Sequence, residues 1–159
     1  MLTTAEALEA VLAAMPEFPA ETVDVANLTG RVLRQTIVAE RDQPPFDRVM
    51  MDGIAIAYSD YAGGARSFPV QASQAAGDPA LTLQAGKAIE IMTGASLPGN
   101  ADCIVPVERV RAAGGTATLE DGYEARQRQF IHPRASDHAA GAELLRPGKC
   151  ISPMDIAVI

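Results

Sequence analysis

The hydrophobic pattern of the first residues predicts an amphipathic helix. Leu8, Leu12 and Met15 fall at positions i, i+4 and i+7, which places them on one helical face. The run Thr3–Glu6 matches a capping box, in which a threonine oxygen accepts from an early amide and the glutamate reaches back to the cap. We therefore expect a helix that begins at this run and ends at Pro16, where the ring removes a backbone donor.

The next segment predicts a mixture of short helical and extended pieces. Residues 22–25 alternate as a short strand, and residues 35–39 also favour an extended chain. Between them, residues 26–33 favour a short helix, although Gly30 weakens it. The chain up to Asp42 is thus predicted to form a mixed helical and extended lobe.

From Pro44 onward, short apolar or alternating runs are separated by Gly, Pro and Asp at close intervals, which is typical of β structure. A polar loop is predicted from Gln129 through Asp137, then a compact unit at 141–148. Ser152-Pro153 then opens a helix that continues uncapped to Ile159. The fold class is therefore α+β and mainly β, with a small, barrel-like sheet. Its predicted strands are 54–58, 68–72, 88–92, 103–107, 107–111 and 116–120, the last two joined across Gly114-Gly115.

Composition narrows the range of partners. The hydrophobic share of 48% and charged share of 21% suit an ordinary globular protein. A net charge of −7 and a pI near 4.7 argue against nucleic acid, because phosphate neutralisation needs clustered Lys and Arg. Aromatic residues make up only 4% and there is no Trp, so stacking platforms for bases are scarce.

Cysteine usage and hydropathy indicate the compartment. Cys103 and Cys150 are far apart and neither belongs to a Cys-x-x-Cys pair, which favours reduced thiols over a disulfide. The N-terminus has no basic signal region, and no apolar run approaches the roughly 18 residues needed to cross a bilayer. We therefore expect a cytoplasmic protein without a membrane partner.

The first candidate for chemistry is Asp52, which precedes Gly53 on a turn that leads into the apolar run 54–56. Asp and Gly together favour tight turns, since Gly supplies positive φ and Asp bonds to nearby backbone. A carboxylate fixed at the mouth of a strand can serve a metal, a base or a donor-rich ligand. A simple turn cap is the commoner explanation of the same pattern.

The second candidate is the segment 91–99, where an apolar strand runs into small residues and a turn. Thr93 and the amides that follow it can grip an anion or a sugar-like hydroxyl, because consecutive N–H groups form a concave donor site. The alternative is a strand end followed by an ordinary β-turn. The spacing matches neither the phosphate loop nor the dinucleotide-binding motif.

The third candidate is the segment 131–138, which combines a guanidinium, a hydroxyl and a carboxylate in one loop. His132 and His138 together with Asp137 would allow a zinc site, but no second ligand cluster accompanies them, and two loop histidines are the simpler interpretation. There is no Gly-x-Ser-x-Gly elbow and no signature for a catalytic cysteine, so a hydrolase triad is disfavoured.

Taken in order, four motifs resemble a known family. They are Pro-Pro-Phe-Asp-x-x-x-Met-Asp-Gly-x-Ala at 44–55, Ile-Met-Thr-Gly-Ala-x-x-Pro at 91–98, Ala-Asp-x-Ile-Val-Pro-x-Glu at 101–108, and Asp137 followed by the unit 141–148. Together they resemble the N-terminal half of the molybdopterin molybdenumtransferases, the MoeA-type family that includes the gephyrin E domain. Gly-Arg-Val-Leu at 30–33 also fits, so the resemblance covers nearly the whole chain.

The resemblance implies an architecture and an activity. Residues 1–43 with 138–159 would form a mixed dimerisation lobe, and 44–137 a β-rich lobe inserted within it, while the family's later α/β domain is absent. Such proteins insert molybdenum from molybdate into adenylylated molybdopterin, release AMP, and need a divalent cation such as Mg²⁺. The site lies between subunits of a homodimer. The alternative is a non-catalytic dimerisation or scaffold module of the same fold.

The resemblance also implies site residues. Asp52, Thr93 and Asp137 would be catalytic. Because bare carboxylates repel phosphate and molybdate, the two aspartates would orient donors, hold a bridging Mg²⁺ or act as a base. The chain departs from the family at 48–50 and at Ile54, so the polarity of the pocket floor is expected to differ there. The resemblance further implies ligand contacts by Gly53, Gly94, Ala95, Arg134 and Ser136. Of these, Arg134 and Ser136 would contact phosphate, and Thr93 would donate a hydrogen bond to the phosphate or the pterin.

Overall fold

A computed structural model describes residues 2–159 and divides the chain into two compact units. One unit combines the chain up to Ile37 with Glu143–Ile159, and the other is Val38–Ala142. Among the residues described, no helix is long and apolar enough to cross a membrane. The helices are α1 (Thr4–Ala14), α2 (Tyr58–Ala62) and α3 (Pro153–Ile156), and the strands are β1 (Ile37–Val38), β2 (Arg48–Val49), β3 (Gly53–Ile56), β4 (Ser67–Gln74), β5 (Ala88–Ile91), β6 (Cys103–Pro106), β7 (Val110–Ala113), β8 (Thr116–Leu119), β9 (Ile131–His132) and β10 (Glu143–Leu145).

Helix α1 begins as its sequence predicts. The Thr3 hydroxyl accepts from the Glu6 amide at 3.3 Å, and the Glu6 carboxylate accepts from the Thr3 amide at 2.7 Å, which completes the capping box. Within the described chain, α1 buries none of its side chains. Its apolar stripe is therefore open, with Leu8, Leu12 and Met15 each more than half exposed.

The predictions for residues 22–33 are wrong. Residues 22–25 form no strand, and the helix predicted for 26–33 is reduced to a 3-10 turn at Val25–Asn27. The backbone beyond that turn bonds instead to the C-terminal segment, with Gly30 N–H donating to the Ile151 carbonyl and Leu33 N–H to the Lys149 carbonyl, each at 2.8 Å. A helix over residues 26–33 would lose these hydrogen bonds to the C-terminal segment. Leu33 and Ile151 then share a small core with Leu145.

The second unit contains a six-stranded sheet in the order β6-β3-β5-β4-β8-β7. Strand β3 lies between β5 and β6 and is antiparallel to both, whereas β4 and β5 run parallel with a bulge between Val70 and Ala72. The predicted hairpin across Gly114-Gly115 is confirmed as β7–β8. The mainly β fold class is confirmed as well. The strand predicted at 107–111 starts later, because a 3-10 turn occupies Val107–Arg109.

A short strand pair corrects the loop predicted from Gln129 through Asp137. Strand β9 pairs antiparallel with β2, with Val49 opposite Ile131 and Arg48 opposite His132. Val49 and Ile131 are both buried, so the pairing covers apolar side chains. On its other edge β2 meets the segment after β5, where the Val49 amide donates to the Ala95 carbonyl at 2.9 Å. The three candidate segments thus share one region of this unit.

The C-terminal helix is shorter than predicted. It spans only Pro153–Ile156, with Ser152 as a capping-box residue, rather than continuing to Ile159. The Val158 amide donates to the Asp155 carbonyl three residues back, which is the tighter bonding pattern common at helix ends.

Candidate functional site

Asp52 and Thr93 meet at one end of the central sheet. Asp52 directly precedes β3, and Thr93 follows the end of β5 by two residues; since Gly53 pairs with Ile91, the two ends adjoin. The Thr93 amide donates to Asp52 Oδ1 at 2.6 Å, and the Thr93 hydroxyl donates to the same oxygen at 2.7 Å. Both residues are exposed. Two motifs 41 residues apart therefore form one polar pair at the surface.

The two hydrogen bonds set the charge state of Asp52. The bond from the Thr93 backbone, followed by the bond from its hydroxyl, holds the pKa of the Asp52 carboxyl below its usual range. A carboxylate with a lowered pKa stays ionised at neutral pH and accepts a proton poorly. Of the roles expected for Asp52, holding a cation or orienting a donor suits this geometry better than acting as a base.

Gly53 is required by packing. A Cβ atom at this position would lie 1.9 Å from the Val105 carbonyl oxygen of the neighbouring strand β6. The Val107 amide also donates to the Asp52 carbonyl at 2.9 Å, which fixes the backbone just before the strand. The absence of a side chain at Gly53 therefore lets β3 and β6 approach and holds Asp52 at the strand mouth. A contact between Gly53 and a ligand stays a prediction.

The amides around Gly94 do not form the predicted donor cradle. The Thr93 amide donates to Asp52, the Gly94 amide to the Val49 carbonyl at 2.9 Å, and the Ala95 amide to the Met92 carbonyl at 3.1 Å. The Ala95 side chain is fully buried. Because all three donors already have partners inside the protein, this part of the prediction is wrong. The groups left to contact a ligand are the lone pairs of the Thr93 hydroxyl oxygen and the second carboxylate oxygen of Asp52.

Asp137 belongs to a different group of side chains. Its carboxylate lies 2.9 Å from Nε2 of His132, and the Nδ1 of that ring lies 3.1 Å from a guanidinium nitrogen of Arg48. Within the described chain, no hydrogen bond or ion pair links Asp137 to Asp52 or Thr93. Sequence reasoning grouped His132 with Asp137 only as possible zinc ligands, and it missed Arg48 as the third member of this row of side chains, Arg48, His132 and Asp137. The alternation of a buried Ile131 with an outward His132 is a strand signal that was too short to stand out.

Arg134 is tied to two aspartates that sequence reasoning also missed. Its Nε donates to Asp42 at 2.6 Å, and its backbone amide donates to Asp47 at 2.8 Å. The second oxygen of Asp47 accepts from Arg128 at 2.8 Å. These bonds lower the pKa of Asp47, and bonds from Ala140 and Arg134 lower that of Asp42.

Ser136 and Arg134 differ in how available they are to a ligand. The Ser136 hydroxyl donates to the Pro133 carbonyl at 2.7 Å, which closes the local turn. The Arg134 side chain is 66% exposed despite its bond to Asp42, so part of its guanidinium faces solvent. Phosphate contact by either residue stays a prediction, and Arg134 is the more accessible of the two.

The donor chemistry fits Mg²⁺ better than zinc. Within residues 2–159, no group of three or more His, Cys, Asp or Glu side chains is arranged to hold a metal. Both ring nitrogens of His132 already bond to Arg48 and Asp137, so this histidine has none left for zinc. Asp52 offers an exposed carboxylate oxygen, which suits Mg²⁺, an ion that keeps several waters and shares carboxylates with substrate phosphates.

Comparison with known proteins agrees with these features. Residues 2–159 match the family described as MoeA N-terminal region (domain I and II). The chain is 43% identical to a molybdopterin molybdenumtransferase of Synechocystis over 91% of its own length and 37% of that protein. It is 36% identical to molybdopterin molybdenumtransferase 2 of Mycobacterium tuberculosis, over 83% of this chain and 33% of that one.

Solved structures show the same fold. The crystal structure of a molybdopterin biosynthesis moeA protein from Pyrococcus horikoshii OT3 superposes with a TM-score of 0.85 at 33% identity, over 97% of this chain and 42% of that one. The chain therefore spans well under half the length of the relatives it matches. With the family match over 2–159, these similarities show that the chain belongs to the MoeA family and corresponds to its N-terminal region, domains I and II.

Proposed function

We propose that this chain is the N-terminal part of a molybdenum insertase. In the proposed reaction, molybdenum from the substrate molybdate enters the dithiolene of adenylylated molybdopterin, and AMP is released. The contact between Asp52 and Thr93 carries the proposal, because it joins two of the four family motifs into one exposed polar pair. The names of the relatives support molybdenum cofactor biosynthesis as the setting.

The orientation of the Thr93 hydroxyl defines what this pair does. Its hydrogen points to Asp52, so its oxygen accepts a hydrogen bond from an N–H or O–H of the substrate. The Asp52 carboxylate is ionised at neutral pH, and its second oxygen would hold either a substrate donor or Mg²⁺. When bound, Mg²⁺ would offset the negative charge of the substrate phosphates.

The other predicted residues belong to separate groups of side chains and would contact the substrate from there. Asp137 is held by His132 and would orient a donor of the substrate from its own group of side chains. The exposed part of the Arg134 guanidinium would contact a phosphate oxygen. We also infer a cytoplasmic setting, since both cysteines are free thiols, which suits a reducing compartment. Neither nucleic acid nor a membrane is a proposed partner.

The activity is expected to need the part of the relatives that residues 1–159 do not match. Residues 1–159 cover 37% of the Synechocystis relative, so we expect the chain alone to release no AMP. A chimera in which residues 1–159 replace the matching part of that relative tests the proposal directly. We expect the chimera to release AMP from adenylylated molybdopterin when molybdate and Mg²⁺ are present.

Matched variants of the chimera locate the active residues. Asp52→Asn and Thr93→Val are expected to slow AMP release at least about tenfold at an unchanged melting temperature, because each removes a group that the substrate contacts. Asp78→Asn is the control, since Asp78 is also a turn carboxylate and accepts from the Ala75 amide at 2.8 Å, on a different turn. A folded chimera without activity, or equal losses in all three variants, would contradict the proposal.

The open face of α1 favours a second function, association into a homodimer. Leu8, Val11, Leu12 and Met15 form one stripe and are 58%, 60%, 58% and 54% exposed. An apolar stripe of this kind is commonly covered by a partner. We expect sedimentation to show self-association at micromolar concentration. Leu12→Glu should abolish the self-association, whereas Ala10→Glu, on the opposite face of the helix, should not. A strictly monomeric parent chain would count against the homodimer.

A further inference from the structure

Gln74 is a buried amide close to the candidate site. It is the last residue of β4 and its side chain is fully buried, in a unit whose other fully buried side chains are mostly apolar. A buried primary amide needs partners for its donors and its acceptor, because the interior offers it no water. The hydrogen-bond partners of the Gln74 side chain therefore show which segment this residue holds in place.

The partners of Gln74 lie on the turn that carries Thr93. Its Nε2 donates to the Ser96 carbonyl at 2.7 Å, and its own backbone carbonyl accepts from the Met92 amide at 3.3 Å. Gln74 thus binds the first and last residues of the turn 92–96, with Thr93 between them. Its Oε1 accepts from the Leu81 amide at 2.8 Å, which fixes the plane of the amide group.

A second glutamine on the same strand makes similar hydrogen bonds but to a different segment. Gln71 also uses its side-chain amide twice, donating to the Thr82 carbonyl and accepting from the Gln84 amide, each at 2.9 Å. Its partners belong to the segment 82–84 and not to the turn 92–96. The two glutamines therefore use the same side-chain atoms, although Gln71 is only partly buried, and of the two only Gln74 bonds to the turn that carries Thr93.

We propose that Gln74 is a positioning residue, which clamps both ends of the turn 92–96 so that Thr93 keeps its two hydrogen bonds to Asp52. Gln74 itself is buried and touches no substrate, so its effect passes through Thr93. The relevance of this clamp to molybdenum insertion rests on the proposed function. The clamp itself is a property of residues 1–159 and is tested without any activity.

Amide hydrogen exchange measured by NMR on the chain of residues 1–159 provides that test. Gln74→Met keeps the length of the side chain and the backbone bond to Met92, and it removes the side-chain donor to Ser96 and the side-chain acceptor for Leu81. Gln71→Met is the control. We expect exchange of the Thr93 amide to become at least about tenfold faster in Gln74→Met, relative to the Leu119 amide, which bonds to the Arg66 carbonyl and reports opening of β8. Strand β8 pairs with residues 67–69 of β4, at the end of that strand away from Gln74. In Gln71→Met the same ratio should stay within about twofold.

Equal ratios in the two variants, or an unchanged ratio in a folded Gln74→Met, would overturn the proposal. If Gln74→Met does not fold, Gln74→Asn replaces it. Its side chain is one methylene shorter and cannot span the same distances to Ser96 and Leu81, so the Thr93 amide should again exchange faster. The unmodified chain gives an independent measurement, since the side-chain amide protons of Gln74 should exchange slowly. Rapid exchange of those protons would also overturn the clamp.

Activity in the chimera separates this inference from the proposed function. There, Gln74→Met should lower kcat/KM for AMP release about tenfold, whereas Gln71→Met should leave it within about twofold at a similar melting temperature. An active chimera that Gln74→Met does not slow would overturn the positioning role alone. An inactive parent chimera would count against the proposed function, and the exchange ratios would still decide whether Gln74 clamps the turn.

Discussion

The Nε2 of His132 lies 2.9 Å from the Oδ1 of Asp137, and the Nδ1 of the same ring lies 3.1 Å from a guanidinium nitrogen of Arg48. A guanidinium only donates hydrogen bonds, so Nδ1 must accept and Nε2 must carry the hydrogen that Asp137 receives. The position of His132 on β9, opposite Arg48 on β2, imposes this arrangement. Asp137 is therefore oriented by an imidazole whose Nε2 carries the hydrogen.

Removing His132 should destabilise the fold. We expect His132→Ala to lower the free energy of unfolding by about 1–3 kcal/mol, because Arg48 and Asp137 both lose a half-buried partner. Urea unfolding of the chain of residues 1–159 measures the change. His138→Ala is the control and should cost less than about 1 kcal/mol, since the hydrogen bonds found for His138 come from its backbone. Equal losses of unfolding free energy in the two variants would show that the hydrogen bonds of His132 to Arg48 and Asp137 add no stability.

Gly53 should not tolerate any side chain. Gly53→Ala would place a Cβ atom 1.9 Å from the Val105 carbonyl oxygen, a contact that only movement of β3 or β6 can relieve. We expect a loss of about 3 kcal/mol or more in unfolding free energy, or failure to fold. Gly99→Ala is the control, because its nearest atom would be 3.6 Å away, and it should cost less than about 1 kcal/mol. A stable Gly53→Ala protein with an unchanged melting temperature would contradict this geometry.

The sequence predicts those parts of the fold in which the local pattern of apolar and polar residues matches the side chains that are buried. The runs that became β3, β5 and β6 were recognisable because most of their side chains are buried on both faces. The cap of α1 was equally readable, since both of its partners lie within four residues. The helix predicted for residues 26–33 was misjudged because the backbone of residues 30–33 bonds to residues 148–151, which lie far along the chain, where no local pattern points.

The candidate site was predictable only in part, for the same physical reason. Local pattern singled out Asp52 and Thr93 separately, but their contact depends on the register of Gly53 opposite Ile91. The predicted amide cradle does not form, because the amides of Thr93, Gly94 and Ala95 bond to Asp52, Val49 and Met92. The bond to Val49 depends on the pairing of β2 with the segment after β5, which local sequence does not reveal. Gln74 gave no sequence signal at all, since a glutamine that ends a strand is ordinarily exposed.

The two cysteines should differ sharply in reactivity. Cys103 is fully buried, and burial raises the pKa of its thiol to about 12, with a smaller opposing effect from Gln129. Cys150 is exposed. Because the thiolate is the reactive form, we expect Ellman's reagent at pH 8 to modify one thiol quickly in the folded chain and the second only after denaturation. Cys150→Ser should remove the fast phase, and rapid modification of both thiols in the parent chain would contradict the burial of Cys103.

Asp155 should make the stability of its unit depend on pH in the acid range. Bonds from Lys149, then from the Ser152 hydroxyl and amide, lower the pKa of its carboxyl to about 2. In the unfolded chain an aspartate titrates near pH ~3.9. Because the folded pKa is the lower one, the stabilisation is fully present above about pH 4 and is lost as the pH falls through about 2.

Asp155→Asn tests this dependence, because the amide cannot ionise. The difference in melting temperature between the parent chain and Asp155→Asn should be constant from pH 7 to about 4.5 and should shrink as the pH approaches 2. Other carboxylates titrate in both proteins, so the difference isolates Asp155. Glu143→Gln is the control, since the Arg146 partner of Glu143 is 85% exposed and such pairs add little stability. A difference that does not vary between pH 5 and 2 would mean that the bonds to Lys149 and Ser152 do not favour the ionised form.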